Sequence, residues 1–330
     1  MIILKKIIII LLALCIVVLS ITGCNSTDNN ASLNQSGEKD TREFLSELVS
    51  DEETTADKKA SKVSAIEYGK KTGTSKTLTG FEPLETVDFT VTDPDNTKGL
   101  STTKIAHAYG VAKDEKANDI SINNQKYFEN GGFDAITLDM QSEEKVVYLT
   151  FDVGYDNGFT DMILDTLKEK NVPAAFFCTV HEMETSPEII ARMINEGHIV
   201  GNHTENHPSM DELSRTQMMQ EVKAFDDHIR TNYGYSAPYF RFPKGEYSDC
   251  ALDLLGSLGY TSVFWSLAYA DWDTENQKGA AYAHDTVVSR IHPGAVILLH
   301  AVSSDNAQAL GDIIDTVRGM GYEFLSLEDY

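Results

Sequence analysis

The sequence is short of cysteine, proline, tryptophan and positive charge. Its 330 residues include 4 cysteines, 8 prolines and 2 tryptophans, and 51 acidic side chains stand against 27 basic ones. Four cysteines are too few for a scaffold held together by disulfides. The formal net charge of -24 argues against binding to nucleic-acid phosphates, so we expect no nucleic-acid partner. Apolar residues make up 42% of the chain, which is enough to build a folded core.

Residues 1–23 predict a secretory signal peptide. Lys5 and Lys6 precede an uncharged apolar run over residues 7–21, which is slightly short for a membrane span. The run ends in small residues before Cys24, and this pattern resembles the bacterial lipobox, which implies cleavage before Cys24 and lipidation of its thiol. The alternative is an uncleaved anchor helix. Both interpretations predict an extracytoplasmic protein, and the first predicts a lipid anchor in the cell membrane.

The next two segments differ in composition from the rest of the chain. Residues 24–65 are rich in small polar and charged residues, which predicts a disordered tether with a weak helix around residues 42–49. Residues 66–144 contain turn signals and no catalytic cluster, which predicts an N-terminal extension packed on the main domain. Beyond the signal and Cys24, Cys178 and Cys250 predict either a disulfide or two buried free thiols.

Residues 145–330 alternate between short apolar runs and amphipathic segments. The apolar runs cover residues 146–151, 174–179, 198–201, 239–242, 261–266, 295–299 and 323–327. The predicted helices cover residues 160–170, 187–196, 214–232, 249–258, 283–291 and 306–320. This alternation predicts a parallel α/β fold. Seven strands favour a distorted barrel, and an open doubly wound sheet is the alternative that periodicity leaves open.

Five polar side chains lie at or just beyond the ends of the predicted strands. They are Asp152, His203, Arg241, Asp271 and His300. In parallel α/β barrels, the carboxyl ends of the strands form the face that carries the active site. If these residues were scattered at random, they would lie on helix surfaces as often as at strand ends. The sequence therefore predicts a single functional site at this face.

A pair of histidines follows the third predicted strand. His203 and His207 are four residues apart, and two neutral imidazoles can hold one zinc-like ion. Pro208 disfavours a helix at His207, so a turn after the strand is expected. The alternative is a solvated polar turn, because this spacing alone is a moderate signal.

The other strand-end groups also have a structural alternative. Asp152 could take a proton from a metal-bound water, or it could cap the next helix. Arg241 could keep Asp152 ionised and Lys244 could meet an acidic substrate group, or both could be solvated cations of a turn. Asp271 would raise the pKa of His300 and fix its tautomer, as a general acid requires, whereas a lone histidine is more often structural.

In order along the chain, these motifs resemble the polysaccharide deacetylase family with its NodB homology domain. The motifs are T-F-D-x-G, H-T-x-x-H, R-F-P-x-G, D-W and L-H-x-x-S, and the resemblance covers about residues 145–330. Residues 154–158, 264–266 and 271–272 are most similar to the peptidoglycan N-acetylmuramic acid deacetylases, which include the enzymes of delta-lactam biosynthesis. The resemblance implies a metal-dependent hydrolase that removes N-acetyl groups from peptidoglycan strands.

The resemblance also implies a role for each matching catalytic residue. Asp152 would be the catalytic base and His300 the catalytic acid. Arg241 would orient Asp152, and Asp271 would tune His300.

The resemblance further implies a set of binding residues. His203 and His207 would bind the divalent ion, which we expect to be zinc. Trp272 would shape the pocket, and Lys244 and Tyr155 would contact the substrate.

One departure from the family pattern concerns the metal. The family usually has a second aspartate, a metal ligand, where this chain has Val153. Valine cannot bind a metal, so we expect fewer protein ligands than the usual three and a weaker affinity. The alternatives are a non-enzymatic glycan-binding lipoprotein, an O-deacetylase that hydrolyses esters, and a chitin-oligosaccharide deacetylase.

Overall fold

A parallel sheet built from the short apolar runs forms the centre of the computed structural model, which describes residues 62–142 and 144–330. The predicted signal peptide, the lipidation site at Cys24, the weak helix and most of the tether lie outside these residues. Within the described residues, no helix is long and apolar enough to cross a membrane.

The described chain contains twelve strands and eight α-helices. The strands are β1 (Glu67–Tyr68), β2 (Ile105–Ala106), β3 (Ala135–Ile136), β4 (Val146–Val153), β5 (Ala175–Cys178), β6 (Ile199–Asn202), β7 (Tyr235–Ser236), β8 (Tyr239–Phe240), β9 (Glu246–Tyr247), β10 (Thr261–Val263), β11 (Ala295–His300) and β12 (Glu323–Leu325). The helices are α1 (Asp119–Gly131), α2 (Thr160–Lys170), α3 (Val180–Thr185), α4 (Pro187–Asn195), α5 (Arg215–Tyr233), α6 (Asp249–Ser257), α7 (Ala280–Ser289) and α8 (Ser304–Gly319). Short 3-10 turns cover Met210–Glu212, Pro243–Gly245 and Leu327–Asp329.

The central sheet curls into an incompletely closed parallel barrel. Its strand order is β11-β4-β5-β6-β8-β10-β3, and β12 pairs in parallel with the first half of β4. Isolated bridges, Leu138 to Ala295 and Leu267 to Ile297, link the two open edges. All seven predicted strands lie in this sheet, and the predicted parallel α/β barrel fold is confirmed.

The strands are buried on both faces, which explains why they appear in the sequence as continuous apolar runs. Every residue of β4 except Asp152 is buried, and β5 is buried throughout. Helices on the outside supply the other half of the core, and their ends follow local signals. For example, Ser214 and Gln217 form a capping box at the start of α5, and Gly234, at φ 60°, ends it in the left-handed conformation.

The N-terminal extension contributes elements that the sequence did not predict. Its strand β3 joins the central sheet beside β10, and β1 and β2 pair antiparallel with β7 and β9. The side chain of Phe128 is fully buried in an apolar cluster with α6 and β8, and so is that of Val63, which lies in the last residues of the predicted tether and is ordered against the barrel. The extension therefore shares the core of the barrel.

The two remaining cysteines are free thiols. Cys178 ends β5 and Cys250 lies in the first turn of α6, and both are buried. Of the two alternatives left open by the sequence, the structure has the free thiols.

Candidate functional site

A cleft of about 870 Å³ opens at the carboxyl ends of the barrel strands. Seven of the nine predicted site residues line it: Asp152, Tyr155, His203, His207, Lys244, Trp272 and His300. The other two, Arg241 and Asp271, are buried behind the lining and hold its members in place. The structure thus brings together residues that are spread over 149 positions of the chain, from 152 to 300 inclusive.

Asp152 is held by a fully buried arginine. Nη1 of Arg241 donates to Asp152 Oδ1 at 2.9 Å, and Nη2 donates to Thr150 Oγ1 at 2.9 Å. Nε donates to the Val263 carbonyl at 2.8 Å, and the guanidinium lies 4.1 Å from the centre of the Phe177 ring. These contacts fix the orientation of the Arg241 guanidinium. It pairs with Oδ1 of Asp152 and leaves Oδ2 available to accept a proton.

The Arg241 partner decides the charge of Asp152. Burial raises the pKa of this carboxyl, but the charge of Arg241, followed by His203, His300 and the Arg241 hydrogen bond, more than offsets burial, so the pKa lies below its ordinary value. Asp152 is therefore ionised at neutral pH and able to accept a proton.

His203 has a defined tautomer. Its Nδ1 lies 2.8 Å from the Arg241 carbonyl, which can only accept, so Nδ1 carries the proton and Nε2 has a free lone pair. That Nε2 lies 3.7 Å from Asp152 Oδ2. His207 meets His203 edge to face, with 4.8 Å between ring centres. Burial lowers the pKa of His203 to about 4 and also lowers that of His207, so both rings are neutral.

The donor chemistry of this pair fits a zinc-like ion with few protein ligands. Neutral imidazole is a common zinc ligand, and the backbone partner of His203 supplies the outer support that such ligands usually have. Val153 is fully buried in the apolar core and supplies no third ligand. Among residues 62–142 and 144–330, no group of three or more histidine, cysteine or acidic side chains is arranged to hold a metal.

His300 is paired with a buried carboxylate. Its Nδ1 donates to Asp271 Oδ1 at 2.7 Å, and its backbone N–H donates to Asp271 Oδ2 at 2.8 Å. Burial lowers the pKa of His300, but Asp271 more than compensates, so the pKa lies above its ordinary value. This arrangement leaves Nε2 of a protonated imidazole to donate to a ligand in the cleft.

The two proton-transfer candidates stand side by side. In the parallel pairing of β11 with β4, His300 is the register partner of Asp152. The arginine favours the anionic form of Asp152, and the carboxylate of Asp271 favours the cationic form of His300. A pair of neighbouring groups whose surroundings push their pKa values in opposite directions is suited to acid–base catalysis.

The predicted substrate residues form the rim of the cleft. Tyr155 and Trp272 expose 47% and 60% of their surface, which leaves aromatic faces for a ligand. Lys244 is exposed, and its Nζ lies 3.2 Å from Ser209 Oγ, which in turn donates to Glu246 at 2.8 Å.

Two loops that carry polar site residues contain strained backbone positions. Thr204, His207 and Lys244 have positive φ values of 74°, 56° and 59°. Such conformations are costly for residues other than glycine and persist where the surroundings hold them. A hydrogen bond from the His207 N–H to Thr204 Oγ1, at 2.9 Å, helps to hold the first loop.

Several residues of the site were missed by sequence reasoning. Trp265 lines the cleft, Thr150 holds Arg241, and Asn306 donates to Asp271 Oδ2 at 2.5 Å. The strand period could have indicated Thr150, because residues two apart lie on the same face as Asp152. Nothing in the sequence alone places Asn306 beside Asp271.

The chain is similar to known polysaccharide deacetylases. The polysaccharide deacetylase family profile matches residues 139–263. The chain is 42% identical over 198 residues to the peptidoglycan-N-acetylmuramic acid deacetylase PdaA of Bacillus subtilis, covering 60% of this chain and 75% of that protein. It is 33% identical to a Bacillus cereus peptidoglycan-N-acetylglucosamine deacetylase, over 55% of this chain and 66% of the relative. The solved structure of PdaA, described as a family 4 carbohydrate esterase, is 38% identical and superposes with a TM-score of 0.67 over 70% of this chain and 97% of its own.

Proposed function

Because the chain belongs to the polysaccharide deacetylase family, we propose that it hydrolyses N-acetyl groups of cell-wall peptidoglycan, and of N-acetylmuramic acid in particular. One observation supports the chemistry: Asp152, whose anion is favoured by Arg241, and His300, whose cation is favoured by Asp271, are register partners at one cleft. The named relatives that act on peptidoglycan support the choice of substrate.

The reaction needs a proton acceptor and a proton donor. Asp152 takes a proton from the water that attacks the acetyl carbon, and Arg241 keeps the carboxylate oriented. As the carbon–nitrogen bond breaks, Nε2 of His300 donates a proton to the leaving amine, while Asp271 stabilises the imidazolium. The products are acetate and a free amino sugar.

The proposed cofactor is a divalent ion, zinc in the first place, held by His203 and His207. When bound, such an ion supplies a Lewis acid that polarises the acetyl carbonyl and acidifies water. The neutral state and oriented Nε2 of His203 support this role.

Specificity for muramic acid would come from Lys244. This sugar carries a lactyl carboxylate that glucosamine lacks, and Lys244 is an exposed cation on the cleft rim. An ion pair there would favour muramic acid. The amine released by hydrolysis could then close onto the lactyl carboxyl as a delta-lactam.

The Lys244→Ala variant tests the substrate assignment. We expect its acetate release from peptide-free muramic glycan to fall about tenfold, as loss of a charged hydrogen bond implies, with little change on chitin oligomers. Lys126→Ala, which removes an exposed lysine of α1 outside the cleft, is the matched control. Equal losses on both glycans would contradict the role of Lys244, and activity on chitin alone would overturn the muramic assignment.

The lipid anchor is a separate proposal. The signal-like residues 1–23 and the lipobox-like sequence before Cys24 support an extracytoplasmic protein held at the cell membrane, near its glycan substrate. Mass spectrometry of the membrane-bound protein should then show a chain that begins at a lipidated Cys24. A chain that still contains residues 1–23 would favour the uncleaved anchor helix.

A further inference from the structure

A short segment of the N-terminal extension lies behind one wall of the cleft. We call residues 105–109 the strap. Its strand β2 pairs antiparallel with β9, with Ile105 opposite Tyr247, and the His107 N–H donates to the Gly245 carbonyl at 2.9 Å. The strap is thus attached to the turn that carries Lys244.

The side chain of His107 attaches the strap to a second cleft segment. Its Nε2 lies 2.8 Å from the Trp265 carbonyl, which can only accept, so Nε2 carries the proton. The imidazole stacks on Phe264 with 4.8 Å between ring centres and meets Trp265 edge to face at 4.9 Å. Farther along, the Tyr109 hydroxyl donates to the Ala268 carbonyl at 3.2 Å.

These contacts confine the indole of Trp265. A Cβ added to Gly245 would lie 2.8 Å from the Trp265 ring and 3.3 Å from the His107 Cβ, so this glycine permits a close approach of all three residues. On another side, the Arg241 guanidinium lies 5.7 Å from the centre of the indole. Trp265, which lines the cleft, is therefore enclosed by the strap, the Lys244 turn and Arg241.

We propose that His107 is a positioning residue for glycan binding, which holds Trp265 and the Lys244 turn together as one wall of the cleft. The proposal rests on the deacetylase function proposed above. Among the described residues, the hydrogen bonds and ring contacts of His107 do not reach Asp152 or His300, and Arg241 keeps its own partners at Thr150 and the Val263 carbonyl. Removing the imidazole should therefore weaken substrate binding more than it slows the chemical step.

A fluorescence measurement tests the structural half of the proposal without any substrate. The chain has 2 tryptophans, so in a Trp272→Phe background the emission comes from Trp265 alone. We expect His107→Ala to increase acrylamide quenching of Trp265 about twofold, because its ring loses a neighbour. His107→Gln, whose amide can donate to the Trp265 carbonyl, should restore the original quenching.

The matched control is His198→Gln, which alters another histidine that burial keeps neutral; it precedes β6 and is not part of the strap. It should leave the quenching unchanged. Unchanged quenching in His107→Ala, or an equal change in His198→Gln, would overturn the proposal.

Steady-state kinetics on peptide-free muramic glycan test the functional half. We expect His107→Ala to raise KM about fivefold with kcat within about twofold of the wild type, and His107→Gln to recover most of the KM. A fall in kcat at unchanged KM, or no change in either, would overturn the positioning role. If the wild-type protein releases no acetate, the proposed function fails, whereas the quenching result still decides whether His107 positions Trp265.

Discussion

Histidines lie at both ends of the barrel, and they differ in their partners. At the carboxyl ends of the strands, Nδ1 of His203 donates to the Arg241 carbonyl and Nδ1 of His300 donates to Asp271. At the amino ends, His198 precedes β6, and within the described part of the chain neither of its ring nitrogens has a hydrogen-bond partner. Its ring packs edge to face on Phe176, 5.4 Å between centres.

The comparison shows that burial and a lowered pKa do not by themselves mark a functional histidine. Burial lowers the pKa to about 4 in both His198 and His203. His203 and His300 differ from His198 because each has a hydrogen-bond acceptor at Nδ1. That acceptor holds the proton on Nδ1 and leaves Nε2 available for a ligand. We therefore expect substitutions at the carboxyl end to change catalysis and those at the amino end to change stability alone.

The largest effect is expected for Asp152→Asn. Loss of the base should reduce kcat for acetate release by about 10³-fold, within the range typical of general base catalysis. The variant should also lose stability, because Arg241 stays buried without its charged partner. Circular dichroism checks that the barrel is folded at the assay temperature. A folded variant with near-normal turnover would remove Asp152 from the base role.

The next largest effect is expected for Asp271→Asn, which removes the charged partner of the proposed acid His300. Because Asp271 holds the pKa of His300 above its ordinary value, His300 stays protonated to higher pH, and the rate should fall as pH rises through that pKa. In Asp271→Asn, burial acts without the opposing charge, so the alkaline limb should move to lower pH and kcat should fall about 10²-fold. Asp273→Asn, two residues along the same loop, is the control. An unmoved alkaline limb in Asp271→Asn would contradict the pairing.

A smaller effect is expected for the metal. Val153→Asp would offer a third ligand, and a direct ligand should add at least the roughly tenfold in affinity that outer partners contribute. Competition with a chromophoric chelator measures the dissociation constant of zinc. Val153→Asn is the control, because asparagine has the shape of aspartate without its charge.

The unfolding temperature gives a second view of the same position. Val153 is fully buried, so an aspartate there should lower Tm in the absence of metal, and added zinc should recover it. Unchanged zinc affinity would mean that position 153 faces the core and not the ion.

The smallest effect on catalysis is expected for His198→Phe, which should leave kcat and KM unchanged. The folded pKa of His198, about 4, lies below its ordinary 6.5. The unfolded chain therefore binds more protons between these values, and stability falls as pH falls through this range. The variant should lose less stability than the wild type between about pH 7 and about pH 5 in urea unfolding. Loss of activity in a stably folded His198→Phe protein would contradict the difference proposed between the two ends of the barrel.

Most of the barrel could be predicted because its strands and helices have long, regular patterns. The predicted helix over residues 160–170 coincides with α2, and the predicted strands all lie in the sheet. The missed elements have weak patterns. Strand β3 has two residues, α3 has six, and α1 is mostly polar with three buried side chains, so periodicity gives little signal for them.

The site could be predicted as a set of positions but not as a network. Strand ends indicated Asp152 and His300, since the carboxyl ends of parallel strands meet at one face. The register that pairs them depends on hydrogen bonds between β4 and β11, which are far apart in the chain. His107 was missed for a similar reason: its partners Gly245 and Trp265 follow it by more than a hundred residues.

Acetate release from peptide-free muramic glycan, measured after chelation and again after zinc is restored, tests the central claim most directly. We expect the chelated protein to be inactive, zinc to restore release of acetate and a free amine, and the His203→Gln protein to gain nothing from zinc. Full activity in the chelated protein would contradict the proposed metal role. Glycan binding without acetate release under every condition would contradict the deacetylase itself.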